Sequence, residues 1–380
     1  MIYLDNAATS YPKAPGVAEA VAECIQFGAG GPDRSLGASA TAQARAIFQT
    51  RESLARLLGC RDSADMVLTP GATFSLNLAI SGLARPGDHV ITTALEHNAV
   101  ARPLTHLESL GSTITRVACP DGFAPEPGAF RAALRPNTAL IAVVHASNVS
   151  GTILPVAEIA ATAREAGVPL LVDASQTVGA VPIDIDADAC HMLAFPGHKG
   201  LLGPAGIGGL YIDARLDVGP LHRGGTGSRS YSAEHPSERP DCFEAGTPNI
   251  PGIAGLGVGA RYLLERGVVD VRQHEMGLIA ALLDGLSAVG GVNILGPRAA
   301  KDRAGLVSFN VGTMDPAEVG MRLEQDYGII TRCGFHCSAW AHEALGTVGR
   351  GAVRMSVSPF TTDDEIAEAV QAVGEIASAQ

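Results

Sequence analysis

The chain has 380 residues, of which 46% are hydrophobic and 17% charged, and its formal net charge is −12. This composition is typical of a folded globular protein, and acidity without a run of Lys or Arg argues against nucleic acid as a partner. No apolar run is long enough for a transmembrane helix, and the first residues lack the basic and apolar regions of a signal peptide. We therefore expect a protein without membrane partners.

Cysteine and lysine usage narrows the chemistry. The seven Cys are scattered without a C-x-x-C pair, which fits a reducing cytoplasm and predicts neither a disulfide framework nor a metal site. The chain has only three lysines, namely Lys13, Lys199 and Lys301. If the chemistry needs a lysine amine, there are three candidates.

From about residue 14 to residue 212, short apolar runs alternate with helical patterns. The predicted strands are Met66–Thr69, His89–Thr93, Thr113–Val117, 139–145, 169–173, 191–194 and 206–212. The predicted helices between them are 75–83, 99–110 and 155–166. This alternation predicts an α/β fold with a mainly parallel sheet covered on both faces, and ligands of such sheets bind at the carboxyl ends of the strands.

The pattern then changes. Residues 221–251 are irregular and rich in Gly, Ser, Pro and charge, and a loop of this length is usually functional or disordered. The elements predicted after it are helices 252–266 and 269–289, strands Leu306–Val311, 328–332 and 352–357, and a terminal helix opened by Thr362. We therefore predict a large domain over residues 14–254 and a smaller α+β domain formed by residues 1–13 and 255–380.

Two residues suit an aldehyde cofactor. Lys199 follows an apolar strand and lies between glycines, where a buried lysine could form a Schiff base. Asp173 ends another apolar strand, where a carboxylate could pair with a pyridinium nitrogen, and Gln176 follows on the next turn. The alternatives are a solvated lysine in a Gly-rich turn and an Asp that caps a turn.

Two further strand ends carry polar residues. Ala72 and Thr73 open a helix directly after a strand, where free N–H groups and the helix dipole form an anion site. His97 follows another strand, where it could lie on a cofactor ring and move protons. The alternatives are ordinary capping and a structural histidine.

Residues 331–337 combine a cation, a histidine and a thiol. Arg332 and His336 lie close in sequence to Cys337, and positive charge favours the nucleophilic thiolate form of a cysteine. Arg354 lies on the next predicted strand, where its guanidinium could bind a substrate carboxylate through two hydrogen bonds. The alternatives are an inert thiol and a structural ion pair.

Taken in chain order, these motifs resemble those of the class V aminotransferases, which are pyridoxal phosphate (PLP) enzymes of fold type I. The resemblance is greatest to the cysteine desulfurases. The resemblance covers nearly the whole chain, through residues 3–9, 147–151, 173–176, 197–199, 243–249, 332–337 and 353–356. The motif R-x-G-x-H-C at residues 332–337 narrows it to the desulfurase and selenocysteine lyase branch. The segment that leads to Cys337 is short and has no long inserted loop, so it is more similar to the SufS-type class than to the IscS-type class.

The resemblance implies a role for each candidate residue. It implies a large domain with a mainly parallel sheet, a smaller α+β domain and a homodimer. The implied catalytic residues are Lys199, which holds PLP, Cys337 and His97. The implied cofactor-binding residues are Lys199, Asp173, Gln176, His97, Thr73, Ala72, His198, Asn148 and, from the second subunit, Thr247. The implied substrate-binding residues are Arg354, Asn148 and Arg332.

The resemblance also implies the reaction. L-Cysteine would be converted to L-alanine, and a persulfide on Cys337 would pass its sulfur to an acceptor protein, for iron–sulfur cluster assembly or another pathway. One alternative is a selenocysteine lyase or another C–S lyase, in which Cys337 is dispensable. Another is a non-catalytic sulfur carrier, against which Lys199 argues. Phe335 and Cys333 depart from the pattern, so the acceptor and the choice between cysteine and selenocysteine stay open, and Cys333 could act as a resolving thiol.

Overall fold

The computed structural model describes residues 1–28, 38–126, 128–188 and 190–379. None of the helices within these ranges is both long and apolar enough to cross a membrane. The strands are β1 Ile2–Tyr3, β2 Met66–Thr69, β3 His89–Thr93, β4 Thr113–Val117, β5 Thr138–Val144, β6 Leu170–Asp173, β7 Met192–Pro196, β8 Gly208–Ile212, β9 Val292–Leu295, β10 Leu306–Val311, β11 Ile329–Ile330, β12 Arg332–Gly334 and β13 Ala352–Ser356. The helices are α1 Val17–Phe27, α2 Ala38–Leu57, α3 Ala72–Leu83, α4 Asn98–Ser109, α5 Gly128–Ala133, α6 Val156–Ala166, α7 Ile185–Asp188, α8 Ile250–Arg266, α9 Val268–Ala288, α10 Pro316–Tyr327, α11 Ala339–Ala344 and α12 Asp363–Ser378.

The larger sheet has seven strands in the order β2-β8-β7-β6-β5-β3-β4. Strand β8 runs antiparallel to both of its neighbours, and the other pairings are parallel. Crossover helices explain this arrangement, because parallel neighbours need a long connection that returns the chain to the same edge. The predicted α/β fold with a mainly parallel sheet is therefore confirmed.

Both faces of this sheet are buried. Val143 and Val172 face one apolar cluster, which includes residues of α6 and α8, while Ala142 and Leu171 face the other, which includes residues of α3 and α4. Successive side chains of a strand point to opposite faces, so each of these continuous apolar runs contributes to two cores. Because the apolar runs are buried in the sheet, the polar residues that follow them lie at the ends of the strands.

A second, smaller group of strands follows the long irregular segment. Strands β12-β13-β10-β9 form an antiparallel sheet, and β1 pairs with β11 in parallel. Their apolar side chains pack with those of α9, α10 and α12. Two sequence predictions were wrong in detail here. Strand β9 was missed, and the strand predicted over residues 328–332 is two strands, β11 and β12, which belong to different sheets.

The irregular segment ends at α8, which begins at Ile250 and packs against α1 and α2. Residue 254, where the sequence places the domain boundary, lies inside this helix. The division into residues 14–254 and residues 1–13 with 255–380 stays a prediction.

Candidate active site

A cavity of about 750 Å³ lies at the carboxyl ends of the parallel strands. Most of the side chains predicted from the sequence are in its wall: Ala72, Thr73, His97, Asn148, Asp173, Gln176, His198, Lys199, Arg332 and Arg354. Cys337 and Thr247 are not part of this wall. The parallel sheet explains the convergence, because strands that run in one direction place their carboxyl ends at one edge.

Lys199 lies in the turn after β7, and its side chain is half-buried. Burial lowers the pKa of Lys199 to about 8, the nearby carboxylate of Asp173 opposes this shift, and the guanidinium of Arg354 adds to it. Within the described part of the chain, no hydrogen bond or ion pair is made by the Lys199 amine. A buried amine with a lowered pKa is partly neutral at neutral pH, which is the nucleophilic form.

Asp173 is the last residue of β6, and its side chain is buried. Its Oδ1 accepts hydrogen bonds from the backbone N–H of Ser175 at 3.0 Å and from the Ser175 hydroxyl. Oδ2 accepts none from the described residues. Capping therefore uses one oxygen and leaves the other for an N–H group in the cavity. Gln176 lies beside it and donates to the carbonyl of Ala7 at 3.1 Å.

The start of α3 lines the cavity without a side-chain cap. Gly71 precedes the helix with φ 149°, a conformation that favours glycine, and no side chain caps the first turn. The first N–H groups of the helix are therefore available to a ligand beside Ala72 and Thr73. The Nδ1 atom of His198, across the cavity wall, is buried without a hydrogen-bond partner among the described residues.

His97 combines a structural role with a place in the cavity wall. Its Nδ1 accepts a hydrogen bond from the N–H of Ala99 at 3.0 Å and so caps α4. Burial lowers the pKa of His97 to about 4, the Asp173 carboxylate opposes this shift, and Lys199 adds to it. The ring is therefore neutral at neutral pH with its proton on Nε2, which is the atom available to a ligand.

Cys337 lies on a strained turn beside the cavity. The backbone φ angles of His336 and Cys337 are 49° and 57°, in the left-handed region that costs a non-glycine residue about 1–2 kcal/mol. Their carbonyl groups accept hydrogen bonds from Asn148 Nδ2 at 2.6 Å and from the N–H of Asn98 at 2.9 Å. The thiol is exposed, and Arg332 Nη2 lies 3.5 Å from its Sγ.

Arg354 lies on β13 with only 1% of its side chain exposed. It donates to Asp5 Oδ1 at 2.7 Å and to the carbonyl of Asn148 at 3.0 Å. The structural ion pair considered from the sequence is therefore present. Its Nε is buried without a partner among the described residues, and burial lowers the pKa of its guanidinium. One donor thus stays available in the cavity wall.

Thr247 lines a separate cavity of about 170 Å³. This second cavity adjoins the first, because both are lined by Pro70, Phe74 and Gly206. Thr247 lies near the end of the long irregular segment and outside the wall of the main cavity.

Three contributors were not predicted as site residues. Lys13 donates to the carbonyl of His198 at 3.0 Å, the Ser10 hydroxyl at 3.0 Å and the Thr9 hydroxyl at 3.2 Å, and so fixes the peptide next to Lys199. Asp5 holds Arg354, as described above. The ring of His336 lines the cavity. The sequence signal for Asp5 and His336 was their presence in the opening motif and in the R-x-G-x-H-C motif, whereas Lys13 lies outside both motifs.

Cys333 is half-buried and packs against Gly320 of α10. Burial raises the pKa of its thiol. It is not part of the cavity wall, so its surroundings are those of a core residue of the smaller sheet.

Among the residues that the structure describes, no group of three or more His, Cys, Asp or Glu side chains could hold a metal ion.

A family model described as aminotransferase class V matches residues 2–368. The chain belongs to the class V aminotransferase family. The probable cysteine desulfurase of Methanothermobacter thermautotrophicus is 33% identical over 386 residues, covering 99% of this chain and 94% of that protein. A cysteine desulfurase of Yersinia pestis is 34% identical over 351 residues, covering 89% of this chain and 84% of that protein.

Solved structures agree with the class V assignment. The apo cysteine desulfurase of Thermococcus onnurineus NA1 matches with a TM-score of 0.93 and 31% identity, covering 100% of this chain and 95% of that one. The Escherichia coli cysteine desulfurase CsdA matches with a TM-score of 0.89 and 27% identity, covering 99% and 94%. The predicted family and the predicted fold type I architecture are therefore confirmed, and the names of these relatives agree with the function predicted from the sequence.

Proposed function

We propose that this class V protein is a PLP-dependent cysteine desulfurase that converts L-cysteine to L-alanine. One observation carries the proposal: half-buried Lys199 and buried Asp173 line a single cavity, and exposed Cys337 lies beside it next to Arg332. In the reaction the C–S bond of the substrate breaks and an S–S bond to Cys337 Sγ forms. The substrate carbon takes up the proton that the thiol loses, so L-alanine and the persulfide account for all atoms.

The cavity suits PLP. Its wall holds an amine without a hydrogen-bond partner, an uncapped helix start, and two buried polar atoms, Asn148 Oδ1 and His198 Nδ1, that have no partner in the described ranges. When bound, PLP supplies an electron sink that stabilises negative charge at the substrate Cα. The ring and phosphate of a phosphorylated pyridine could form hydrogen bonds with these unpaired groups.

In this proposal each cofactor-binding residue has a role that its contacts support. Lys199 binds PLP covalently, and the free oxygen of Asp173 pairs with the pyridinium nitrogen. Gln176 and Asn148 lie near the phenolate oxygen, and His97 lies against the ring. The phosphate is held by the following residues: Ala72, Thr73, His198 and, from a second subunit, Thr247.

The substrate residues follow from the same wall. Arg354 binds the substrate carboxylate with the help of Asn148, and Arg332 lies close enough to Cys337 to stabilise its thiolate. The lowered pKa of Lys199 suits an amine that takes and returns the Cα proton near neutral pH.

We also propose that the protein acts as a homodimer in the cytoplasm and passes the sulfur to an acceptor protein. The separation of Thr247 from the main cavity of its own subunit supports the dimer, and the exposure of Cys337 supports the transfer. The division into a large domain, residues 14–254, and a small domain, residues 1–13 and 255–380, belongs to the same proposal.

Two substitutions test the function. Lys199→Ala should give a protein that no longer retains PLP after reduction with borohydride and dialysis, because Lys199 supplies the one lysine amine in the described wall of the cavity. Cys337→Ala should still bind PLP and cysteine but form no persulfide, because the sulfur has no acceptor. The measurements are the absorbance of bound cofactor, alanine release and persulfide labelling. Retained covalent PLP in Lys199→Ala would refute the assignment.

The same assay decides the alternative function. Cys337 is not part of the cavity wall, and a C–S lyase or selenocysteine lyase would not need it. Alanine and sulfide or selenide release should therefore be measured with cysteine and with selenocysteine, for the wild type and for Cys337→Ala. Undiminished turnover of cysteine by the variant would identify a lyase.

A further inference from the structure

Behind the turn that carries Cys337, two histidines and a threonine form a chain of hydrogen bonds. His336 Nε2 lies 3.2 Å from the carbonyl oxygen of Arg332, and His336 Nδ1 lies 3.4 Å from His342 Nε2. His342 Nδ1 lies 2.7 Å from the hydroxyl oxygen of Thr347. We call His336, His342 and Thr347 the histidine relay.

The partners at the two ends fix where every proton of the relay lies. A carbonyl oxygen only accepts, so His336 Nε2 must donate to Arg332, and the Nδ1 of a neutral His336 is then an acceptor. His342 Nε2 therefore donates to His336 Nδ1, and the backbone carbonyl of Phe335 is a further acceptor beside the His342 ring. This leaves His342 Nδ1 as an acceptor for the hydroxyl proton of Thr347. Both rings carry their proton on Nε2, and no polar atom of the relay is left unpaired.

The surroundings keep both rings neutral. His342 is fully buried between the ring of Phe335, at a centroid distance of 5.3 Å, and the ring of His336, at 5.6 Å with an interplanar angle of 15°. Burial lowers the pKa of His336 to about 3, with a further contribution from Arg354, and burial also lowers the pKa of His342. Because both nitrogens of His336 are engaged, this ring is not available to take the proton of Cys337.

The relay joins the two ends of the strained turn. Its first acceptor is the backbone of Arg332, whose guanidinium reaches Cys337, and its rings belong to the turn and to the short helix α11 that follows it. The left-handed angles of His336 and Cys337 persist only if surrounding contacts hold them. Hydrogen bonds to a backbone carbonyl and between buried rings are contacts of this kind.

We propose that His342 is a positioning residue: with Thr347 it fixes the tautomer of His336 and thereby holds Cys337 and Arg332 in the geometry for sulfur transfer. The proposal rests on the proposed function, since Cys337 is taken as the nucleophile. His342 itself does not line the cavity.

Matched substitutions at His342 test the relay. His342→Leu keeps much of the volume but removes the donor to His336, whereas His342→Gln keeps an N–H group near the position of Nε2. We expect the Leu variant to form persulfide in a single turnover about tenfold more slowly, the effect of leaving one buried acceptor unpaired. The KM for cysteine should change less than twofold because Arg354 is untouched, and the Gln variant should recover most of the rate. Equal losses in both variants, or no loss in the Leu variant, would overturn the proposal.

Substitutions at Thr347 provide a second test if the Leu variant does not fold. Thr347→Val removes the hydroxyl donor at nearly constant volume, and Thr347→Ser retains it. In imidazole nitrogen NMR spectra of the intact enzyme at neutral pH, we expect His336 and His342 of the wild type and of Thr347→Ser to be protonated on Nε2 alone. In Thr347→Val the proton of His342 should stay on Nε2, and the nitrogen resonance of His342 Nδ1 should shift because this acceptor has lost its donor. A wild-type proton on Nδ1 of either ring would contradict the relay.

These readouts separate the relay from the proposed function. If the wild type releases no alanine from cysteine, the desulfurase assignment fails, and the spectra still decide whether the relay exists. The alkylation rate of Cys337 by iodoacetamide, which needs no turnover, then reports whether the relay holds the thiol. It should differ between the Thr347→Val and Thr347→Ser enzymes, and equal rates would count against positioning.

Discussion

The reactivity proposed for Lys199 depends on its environment. Burial moves the pKa of Lys199 from the ordinary 10.5 to about 8 and outweighs the opposite effect of Asp173. Desolvation penalises the charged amine, while a carboxylate nearby favours it, so the two effects partly cancel. The site thus combines an amine that is partly neutral near pH 8 with a carboxylate beside it.

This balance predicts the pH dependence of cofactor attachment. Only the neutral amine forms the covalent bond with PLP, so the rate of attachment to the apoprotein should rise with pH through a midpoint near 8, far below the ordinary 10.5. The rate can be followed by the absorbance of bound cofactor. In Asp173→Asn the carboxylate that raises the pKa of Lys199 is lost, and the midpoint should move to lower pH. A midpoint above that of the wild type would contradict the assigned effect of Asp173.

Several side chains of the site make a structural contact with one polar atom and keep another polar atom without a partner among the described residues. Asp173 caps a turn with one oxygen, His97 caps α4 with one nitrogen, and Arg354 pairs with Asp5 while keeping Nε unpaired. The structural and the functional interpretations of these residues are therefore compatible. Each side chain has polar atoms that face different neighbours. Only the three-dimensional structure shows which atom makes which contact.

At the level of elements, helices α3 and α12 begin in different ways. A missing side-chain cap alone does not mark a ligand site, because α1, α6, α9 and α11 also begin without one. Helix α3 begins at the cavity with no side-chain cap, whereas α12 begins away from it with a complete capping box between Thr362 and Glu365. A helix whose first N–H groups are reserved for a ligand cannot also be capped by its own side chains. The capping of α12 contributes to stability instead.

The capping box of α12 gives a direct stability test. Thr362→Ala removes the oxygen that accepts from the Glu365 N–H and should lower the free energy of unfolding by about 1 kcal/mol, within a range of roughly 0.5–2 kcal/mol. Urea denaturation measures the change. Thr362→Ser, which retains the hydroxyl, should differ little from the wild type. If both variants lose the same stability, the hydroxyl is not what stabilises the helix.

At the scale of the whole molecule, the N-terminal segment connects the smaller sheet to the cavity. Asn6 Nδ2 donates to the carbonyl of Ser356 at 3.0 Å, and the N–H of Ser10 donates to the carbonyl of His198 at 2.8 Å. Directly before Asn6, Asp5 pairs with Arg354. A short segment at the start of the chain thus fixes one wall of the site relative to the other.

Removal of Asp5 should therefore be costly. Asp5→Ala leaves the buried guanidinium of Arg354 without its counter-charge, and we expect a loss of about 3–5 kcal/mol in the free energy of unfolding. The control is Asp186→Ala, which breaks the exposed pair with Arg61 and should cost less than about 1 kcal/mol. Urea denaturation compares the two. Similar losses would show that the Asp5 pair is no stronger than a surface pair.

The sequence by itself determined the main sheet, the order of its motifs and the choice of Lys199. Those features depend on local patterns: apolar runs that match strands, and polar residues that follow them. The short edge strand β9 and the break between β11 and β12 escaped detection, because short partly buried strands are stabilised by neighbours from distant parts of the chain.

Only the tertiary structure decided how the site is held. The Asp5–Arg354 pair joins residues 349 positions apart, and the hydrogen bond from Asn148 to His336 spans 188. The strain at Cys337 and the protons of the histidine relay likewise depend on which atoms meet in space. Local sequence determines which side chains are present. Their charge, tautomer and orientation depend on burial and on hydrogen-bond partners from other elements, which only the folded chain brings together.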